Sequence, residues 1–232
     1  MNEELVEYGL GCLPDRDTVR AASLYPVAVE ETDRVRRSWN QGGAWLNQGN
    51  TGTCVGNGFG HRRADGPVKI VGIDEPWARK LYLEASTLYW GVPDATMLKG
   101  TSVQSGAQAL FNRGAIDRFE WVSNVDQFRY TLLEVGSLVL GIDWYASMNG
   151  PDENGYITQD TTTWKHGGHC LVINKIDTAP TDGSVPFVRF KNSWGVGWAN
   201  HGTVRFALDE FEDLITKGWV DLCLIHELPR AS

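Results

Sequence analysis

The chain has 232 residues, of which 42% are hydrophobic and 22% are charged, values that are typical of a folded globular protein. Its formal net charge is -8 at pH 7 and no block of like charges stands out, so nucleic acid is not an expected partner. No apolar run approaches the ~18 residues of a membrane-spanning helix, so we expect no membrane partner either.

Helical patterns occupy the first half of the chain. Residues 75–90 have a proline in the first turn and repeat apolar residues on one face. Residues 100–114 begin with a Thr/Ser cap and stop at a glycine, and residues 124–136 also stop at a glycine. These three segments are predicted to be helices.

Short apolar or alternating runs, separated by turn residues, follow in the second half and predict strands. They are residues 137–145, 169–177, 186–194, 202–208 and 221–228. Helices followed by mainly antiparallel strands predict an α+β fold. We place a lobe boundary near residue 135, with an N-terminal segment (1–46), a helical lobe (47–135) and a β lobe (136–232). A site is expected in the cleft between the lobes.

The four cysteines are widely scattered and form no CxxC pair: Cys12, Cys54, Cys170 and Cys223. This spacing argues against a disulfide framework and against a structural zinc site. The first residues carry acids and no basic region, unlike a secretory signal peptide. We therefore expect free thiols and a cytoplasmic protein.

One cysteine stands apart because of its surroundings. Cys54 ends a polar, glycine-rich run, NQGNTGTCVG, in which Gln48 lies six positions earlier. If a helix starts at Thr53 or Cys54, its free N–H groups favour the thiolate, which is the reactive form. The alternative is a small buried core residue, the more common role of a lone cysteine.

A base and an orienting group for such a thiol are also present. His169 opens a predicted strand after two glycines, and Asn192 ends a strand joined to it by a hairpin. An amide there can fix the tautomer of the imidazole. The alternatives are a satisfied histidine and an ordinary turn asparagine. A helix start and a nearby imidazolium both favour the Cys54 thiolate, so we expect an ion pair that titrates as a unit.

Together these stretches resemble the papain-like cysteine peptidases. NQGNTGTCVG is similar to the family's Gln-Gly-x-Cys-Gly-Ser-Cys-Trp segment, with Gln48 on the oxyanion-hole glutamine and Cys54 on the nucleophile. GGHCLVINKID resembles the strand that carries the general base, here His169. KNSWGVGW resembles the segment that carries the orienting asparagine, Asn192, and a covering indole, Trp194.

The resemblance implies a two-lobed α+β fold, a peptide or protein substrate, and no metal or organic cofactor. It also implies substrate contacts at Gly100, Gly168 and Trp194. Residues 100–116 resemble a helix of bacterial and phage-type members, whose substrate-binding glycine precedes it.

The chain departs from the family in several ways. Thr51 replaces a usual disulfide cysteine, Val55 replaces an aromatic residue, and three glycines follow in the expected helix. The ~45 residues before the loop are too few for the long helical prosegment of secreted relatives. The final strand region, ITKGWVDLCLIHEL, has no clear counterpart in the family, so the resemblance does not identify the residues of the specificity pocket. The expected function is an endopeptidase; the alternatives are an amidase, isopeptidase or transpeptidase, or a non-catalytic module on this fold.

Overall fold

The computed structural model describes residues 9–14 and 28–228. That part of the chain contains five α-helices: α1 (Cys54–Asp65), α2 (Glu75–Trp90), α3 (Val103–Asn112), α4 (Val125–Tyr130) and α5 (Leu208–Lys217). It contains seven strands: β1 (Arg36–Ser38), β2 (Ile116–Trp121), β3 (Leu138–Tyr145), β4 (Lys165–Asp177), β5 (Phe187–Lys191), β6 (Thr203–Ala207) and β7 (Val220–Glu227). None of these helices is both long and apolar enough to cross a membrane.

The strands form one antiparallel sheet in the order β2-β7-β3-β4-β5-β6, and β1 pairs with β4 off this path. The predicted α+β fold is confirmed, and each predicted strand and helix corresponds to an observed element. Three elements were not predicted, namely β1, β2 and α5. β2 lies in the mainly helical half and pairs with β7, and α5 follows β6 directly. The lobe boundary near residue 135 stays a prediction.

Helix α1 is the central helix, and all twelve of its residues are buried. Its glycines, which lower intrinsic helix stability, are explained by close packing on two sides. A Cβ on Gly56 would lie 2.2 Å from the backbone oxygen of Ala78 in α2. A Cβ on Gly58 would lie 2.8 Å from the Cys170 sulfur in β4. The small residues therefore let α1 lie directly between α2 and the sheet.

We expect Gly56→Ala to destabilise the protein, even though alanine is the better helix former. The new methyl group would meet backbone, which cannot move aside cheaply, and overpacking of this kind costs about 1–3 kcal/mol. Urea unfolding would measure the change in the free energy of unfolding. Gly197→Ala is the matched control, because a Cβ there meets nothing within 4 Å. Equal stability of the two variants would contradict the close packing of α1.

Two hydrophobic clusters meet where the candidate residues lie. One extends from α4 across the sheet to α5 and includes Trp144 and Trp194. The other lies between the sheet and helices α1 to α3, and includes Cys54 and Cys170. Cys54 begins α1, whereas His169 lies within β4. The fold thus places a helix start against the middle of a strand at the junction of the clusters.

Candidate active site

Cys54 is the first residue of α1, and its side chain is fully buried. The free N–H groups at the start of a helix favour negative charge, and the N–H of Val55 is one that hydrogen-bonds the thiol. On the opposite side, the backbone N–H of Cys170 in β4 also reaches the sulfur. The Cys54 sulfur therefore lies between the first turn of α1 and the strand segment that carries His169.

The His169 ring is oriented by one hydrogen bond. Its Nε2 lies 2.7 Å from Asn192 Oδ1, and the same oxygen accepts a hydrogen bond of 2.7 Å from the backbone N–H of Ser193. Since an N–H can only donate, the amide oxygen faces both groups, and His169 Nε2 carries the hydrogen. Nδ1 is then the basic nitrogen, and it has no hydrogen-bond partner within residues 9–14 and 28–228. This tautomer suits a base that exchanges a proton with a neighbouring thiol.

Tryptophans enclose the imidazole. The Trp194 ring stacks on His169 with centroids 4.8 Å apart, and Trp144 meets His169 edge-on at 5.0 Å. Trp198 packs against both indoles. An apolar enclosure strengthens a hydrogen bond such as that from His169 to Asn192 by excluding water. Trp194 was identified from the sequence, whereas the pattern around Trp144 predicted a strand without indicating what its ring contacts.

The Gln48 side chain is oriented by Ser193. The Ser193 hydroxyl donates to Gln48 Oε1 at 2.5 Å, so the amide nitrogen faces the other way. That nitrogen donates to Thr51 O at 2.7 Å and to Gly9 O at 2.9 Å. An N–H group presented to a carbonyl oxygen in the cleft is what an oxyanion-hole donor requires. In this structure the Gln48 amide nitrogen donates to two carbonyl oxygens of the chain itself, Thr51 O and Gly9 O.

Ser193 is the positioning residue that sequence reasoning missed, and Ser193→Ala tests its role. The variant keeps the backbone N–H that orients Asn192 and removes the hydroxyl that holds Gln48. We expect kcat to fall by about two- to tenfold with a smaller change in KM, because one buried hydrogen bond is lost. Ser137→Ala is the control, since its hydroxyl is also buried but donates to Gly66 O instead. An unchanged kcat in Ser193→Ala would contradict the positioning role.

Residues 9–14, here named the cleft segment, lie across the cleft over Cys54. Thr101 binds the backbone of this segment on one side. The Thr101 N–H donates to Gly11 O at 2.8 Å, and the Leu13 N–H donates to Thr101 O at 2.9 Å. The cleft therefore holds an extended backbone by main-chain hydrogen bonds, as a strand added to a sheet edge is held.

Gly168 in β4 binds the same segment from the other side. The N–H groups of Gly11 and Cys12 donate to Gly168 O at 3.2 and 2.9 Å. The Gly11 N–H also hydrogen-bonds the Cys54 thiol. Gly168, predicted to bind substrate, thus binds extended backbone, which in this structure is the chain's own. Residues 9–14 thus cover the thiol as a short extended segment.

Gly100 was expected from the sequence to offer its backbone to a peptide, and this stays a prediction. Its N–H donates to the Tyr82 hydroxyl at 3.0 Å, and its carbonyl accepts from Trp90 Nε1 at 2.9 Å. The next residue, Thr101, provides the backbone pairs to the cleft segment. Gly100 also leaves space for the cleft segment, because a Cβ there would lie 2.2 Å from Gly11 O.

The covered site favours neutral forms of Cys54 and His169. Burial raises the pKa of Cys54, and the nearby Cys12 raises it further. Burial lowers the pKa of His169 to about 4, although the hydrogen bond with Asn192 raises it. Both directions oppose the thiolate–imidazolium pair expected from the sequence, because charged forms are poorly solvated in a buried site. The cleft segment contributes to this burial, since it lies against the thiol.

A cavity of about 640 Å³ opens beside the cleft segment. Residues from three strands line it, among them Ile142, Asp143, Lys165, Val220 and Asp221. It combines apolar surface with charged groups, as pockets for ligand side chains do. The sequence could not reveal it, because its walls come from separated parts of the chain.

Comparison with known proteins supports the fold. No family model and no curated protein matches the chain. Among solved structures, the cysteine protease xylellain from Xylella fastidiosa is 14% identical, with a TM-score of 0.70 over 96% of this chain and 97% of that one. Procathepsin L 3 from Tenebrio molitor larval midgut is 14% identical, with a TM-score of 0.60 over 95% and 76%. Recombinant stem bromelain precursor is also 14% identical, with a TM-score of 0.60 over 90% and 77%. At these identities the likeness shows a shared fold.

Proposed function

We propose that this chain, which has the fold of the papain-like cysteine proteases, is itself a cysteine peptidase that hydrolyses peptide bonds. The observation that carries the proposal is the hydrogen bond from His169 Nε2 to Asn192 Oδ1. This bond leaves Nδ1 as the basic nitrogen next to the strand position that contacts the Cys54 thiol. This arrangement supports the proposed roles of Cys54 as nucleophile, His169 as base and Asn192 as orienting residue.

In the proposed first step, His169 Nδ1 takes the proton of the Cys54 thiol, and the sulfur forms a bond with the carbonyl carbon of the scissile peptide. The electron pair of the carbonyl moves to oxygen, where the N–H groups of Cys54 and Gln48 stabilise the negative charge. The protonated His169 then donates its proton to the leaving nitrogen, and the carbon–nitrogen bond breaks. The result is a thioester on Cys54 and a free amine.

In the second step, water attacks the thioester carbon while His169 accepts a proton from the water. The carbon–sulfur bond breaks, a carboxylic acid leaves, and Cys54 is restored. Asn192 contacts neither water nor substrate in this scheme. It keeps the imidazole in the productive tautomer throughout both steps.

A substrate must displace the cleft segment before this chemistry begins. Its backbone would replace the hydrogen bonds that the segment makes with Thr101 and Gly168. A typical exchange of one hydrogen bond for another changes the free energy by about 1 kcal/mol or less. Activity is therefore set by competition between substrate and segment. The cavity beside Cys12 is the proposed pocket for a substrate side chain.

Related acyl transfer is the second candidate, because an amidase, isopeptidase or transpeptidase uses the same groups. A non-catalytic module is favoured by one observation, namely that the cleft is filled by the chain's own backbone. The oriented Gln48, His169 and Asn192 side chains support an enzyme instead, because a binding module needs no such tautomer control. We also propose a reducing compartment such as the cytoplasm, in agreement with four buried cysteines that are not joined in disulfides.

Incubation with a peptide library, followed by mass spectrometry of the products, tests the proposed function. We expect internal peptide bonds to be cleaved by the wild type and not by a folded Cys54→Ser variant. Cys223→Ser is the control, because Cys223 is also buried but lies in β7. Ligated or deamidated products without cleavage would favour the second candidate. Equal product formation by Cys54→Ser would refute both forms of thiol catalysis.

A further inference from the structure

Two cysteines that the proposed chemistry does not use lie where the cleft segment packs against β4, one on each side of this contact. Cys12 belongs to the cleft segment, and its N–H donates to Gly168 O at 2.9 Å. Cys170 lies two residues after Gly168 in β4, so both positions face the same side of the strand. The side chain of Cys12 is almost fully buried and that of Cys170 is fully buried. The segment therefore brings its thiol to the face of β4 that carries the second thiol.

The contacts of Gly141 place the two sulfurs close together. Gly141 in β3 is the cross-strand partner of Cys170, and directly paired residues hold their Cβ positions about 4.5–5.5 Å apart on one face. The Cys12 sulfur lies 3.2 Å from the position that a Cβ on Gly141 would occupy. Cys12 thus fills the space that the missing side chain leaves beside Cys170. A hydrogen bond between the two thiols, after burial, is a further cause that raises the pKa of Cys170.

We propose that Cys12 and Cys170 are a reversible oxidation site, whose disulfide fastens the cleft segment over Cys54. In the reduced form the segment is held only by hydrogen bonds and packing, so a substrate can displace it. In the oxidised form one covalent bond joins the segment to the residue directly after His169. Inhibition of activity by this disulfide, here called the lock, rests on the proposed peptidase function. Formation of the disulfide itself does not.

The oxidant in this proposal is a small disulfide such as oxidised glutathione. Transient opening of the segment exposes Cys12, whose thiolate attacks one sulfur of the oxidant. A mixed disulfide forms, and one small thiol leaves after taking up a proton. When the segment closes, the Cys170 thiolate attacks the Cys12 sulfur, and the second small thiol leaves. Two protein thiols are oxidised to one disulfide, and one small disulfide is reduced to two thiols.

Cys54 is the main competing partner, because Cys12 lies near enough to raise the pKa of its thiol. Cys170 is favoured because Cys12 packs at its cross-strand position, whereas it is Gly11 that contacts the Cys54 thiol through its backbone. A Cys54→Ser variant separates the two pairings, since a Cys12–Cys170 bond forms equally well without the Cys54 sulfur.

The test uses the full chain, oxidised with oxidised glutathione under native conditions and then quenched in acid. Peptide mapping is expected to find a Cys12–Cys170 disulfide in the wild type and in Cys54→Ser. A Cys12–Cys54 bond, or no intramolecular disulfide, would overturn the proposal. This readout needs no peptidase activity, so it stands even if the proposed function fails.

The second readout is the accessibility of Cys54. We expect oxidation to slow its alkylation, and any peptidase activity, at least tenfold, with full recovery after dithiothreitol. Cys12→Ser and Cys170→Ser should each lose this oxidation-dependent change, measured against the same variant in its reduced form. Cys223→Ser should retain it. A mapped Cys12–Cys170 bond that leaves Cys54 equally accessible would overturn the lock while preserving the oxidation site.

Discussion

Replacement of His169 by alanine is expected to lower kcat by about a hundred- to ten-thousand-fold, the usual contribution of a general acid–base group. The imidazole is the group that transfers protons in both proposed steps, and its Nε2 is already held by Asn192. Steady-state kinetics on a fluorogenic peptide would measure the loss. His166→Ala is the matched control, because His166 lies three residues earlier in β4 and is exposed. A similar loss in the control would show that the strand, rather than the base, is affected.

Asn192→Ala should reduce kcat less than His169→Ala does. Asn192 orients the ring without exchanging protons, so part of the activity remains when the ring samples other orientations. The same assay would compare the two variants at equal folded concentrations. Equal losses would mean that the amide does more than orient the imidazole, or that its removal disturbs the fold.

Gly11→Ala is expected to raise activity about tenfold or more by displacing the cleft segment. A Cβ on Gly11 would lie 2.2 Å from the backbone oxygen of Gly52, so the segment cannot keep its position. Overpacking costs about 1–3 kcal/mol, and each 1.4 kcal/mol changes an equilibrium about tenfold. Gly150→Ala is the control, because a Cβ there meets nothing within 4 Å. Unchanged or reduced activity in folded Gly11→Ala would contradict the covering role.

Gly11→Ala should also raise the reactivity of Cys54 at low pH. In the wild type, burial raises the pKa of Cys54 and lowers that of His169 to about 4, so the thiol is protonated at pH 5.5. Iodoacetamide should therefore react slowly with wild-type Cys54 at this pH. In Gly11→Ala, water reaches the pair, the ion pair becomes the favoured form, and alkylation at pH 5.5 should be fast. A rate that rises only above pH 8 in both proteins would indicate an ordinary thiol.

The fold was largely predictable, because local patterns determine most of its elements. The proline and apolar face of α2, the cap and stop glycine of α3, and the alternating strands of the second half follow directly from residue order. β2 was missed because its run IDRFEW carries two acids and an arginine, and only its pairing with β7 makes it a strand. α5 was missed because it follows β6 without a turn residue between them.

The candidate site was predictable where residue type and order carry the chemistry. Gln48, Cys54, His169 and Asn192 were found in this way, and the structure brings them into one region. Ser193 was passed over because its role depends on two contacts in space, to Gln48 and to Asn192. No sequence rule indicates such contacts for a serine within a turn.

The cleft segment was missed for a different reason. GLGC, residues 9–12, is far in sequence from the loop at Cys54, and its pairing with Thr101 and Gly168 is entirely long-range. The available signal was the pair of glycines flanking Leu10, which lets an extended backbone come close to another backbone. Glycines with this spacing are also common in turns and loops, so the pattern by itself does not predict a segment that covers a cleft.

The central claim is that Cys54 is the nucleophile of a peptidase, and labelling by a peptidyl chloromethyl ketone tests it most directly. The reagent forms a stable thioether with a thiol only where a peptide is bound next to a reactive sulfur. Intact-mass measurement and peptide mapping of folded Gly11→Ala should find one adduct, on Cys54. The additional variants His169→Ala and Cys54→Ser should form almost none. No adduct, or equal labelling of Cys12, Cys170 and Cys223, would contradict the account.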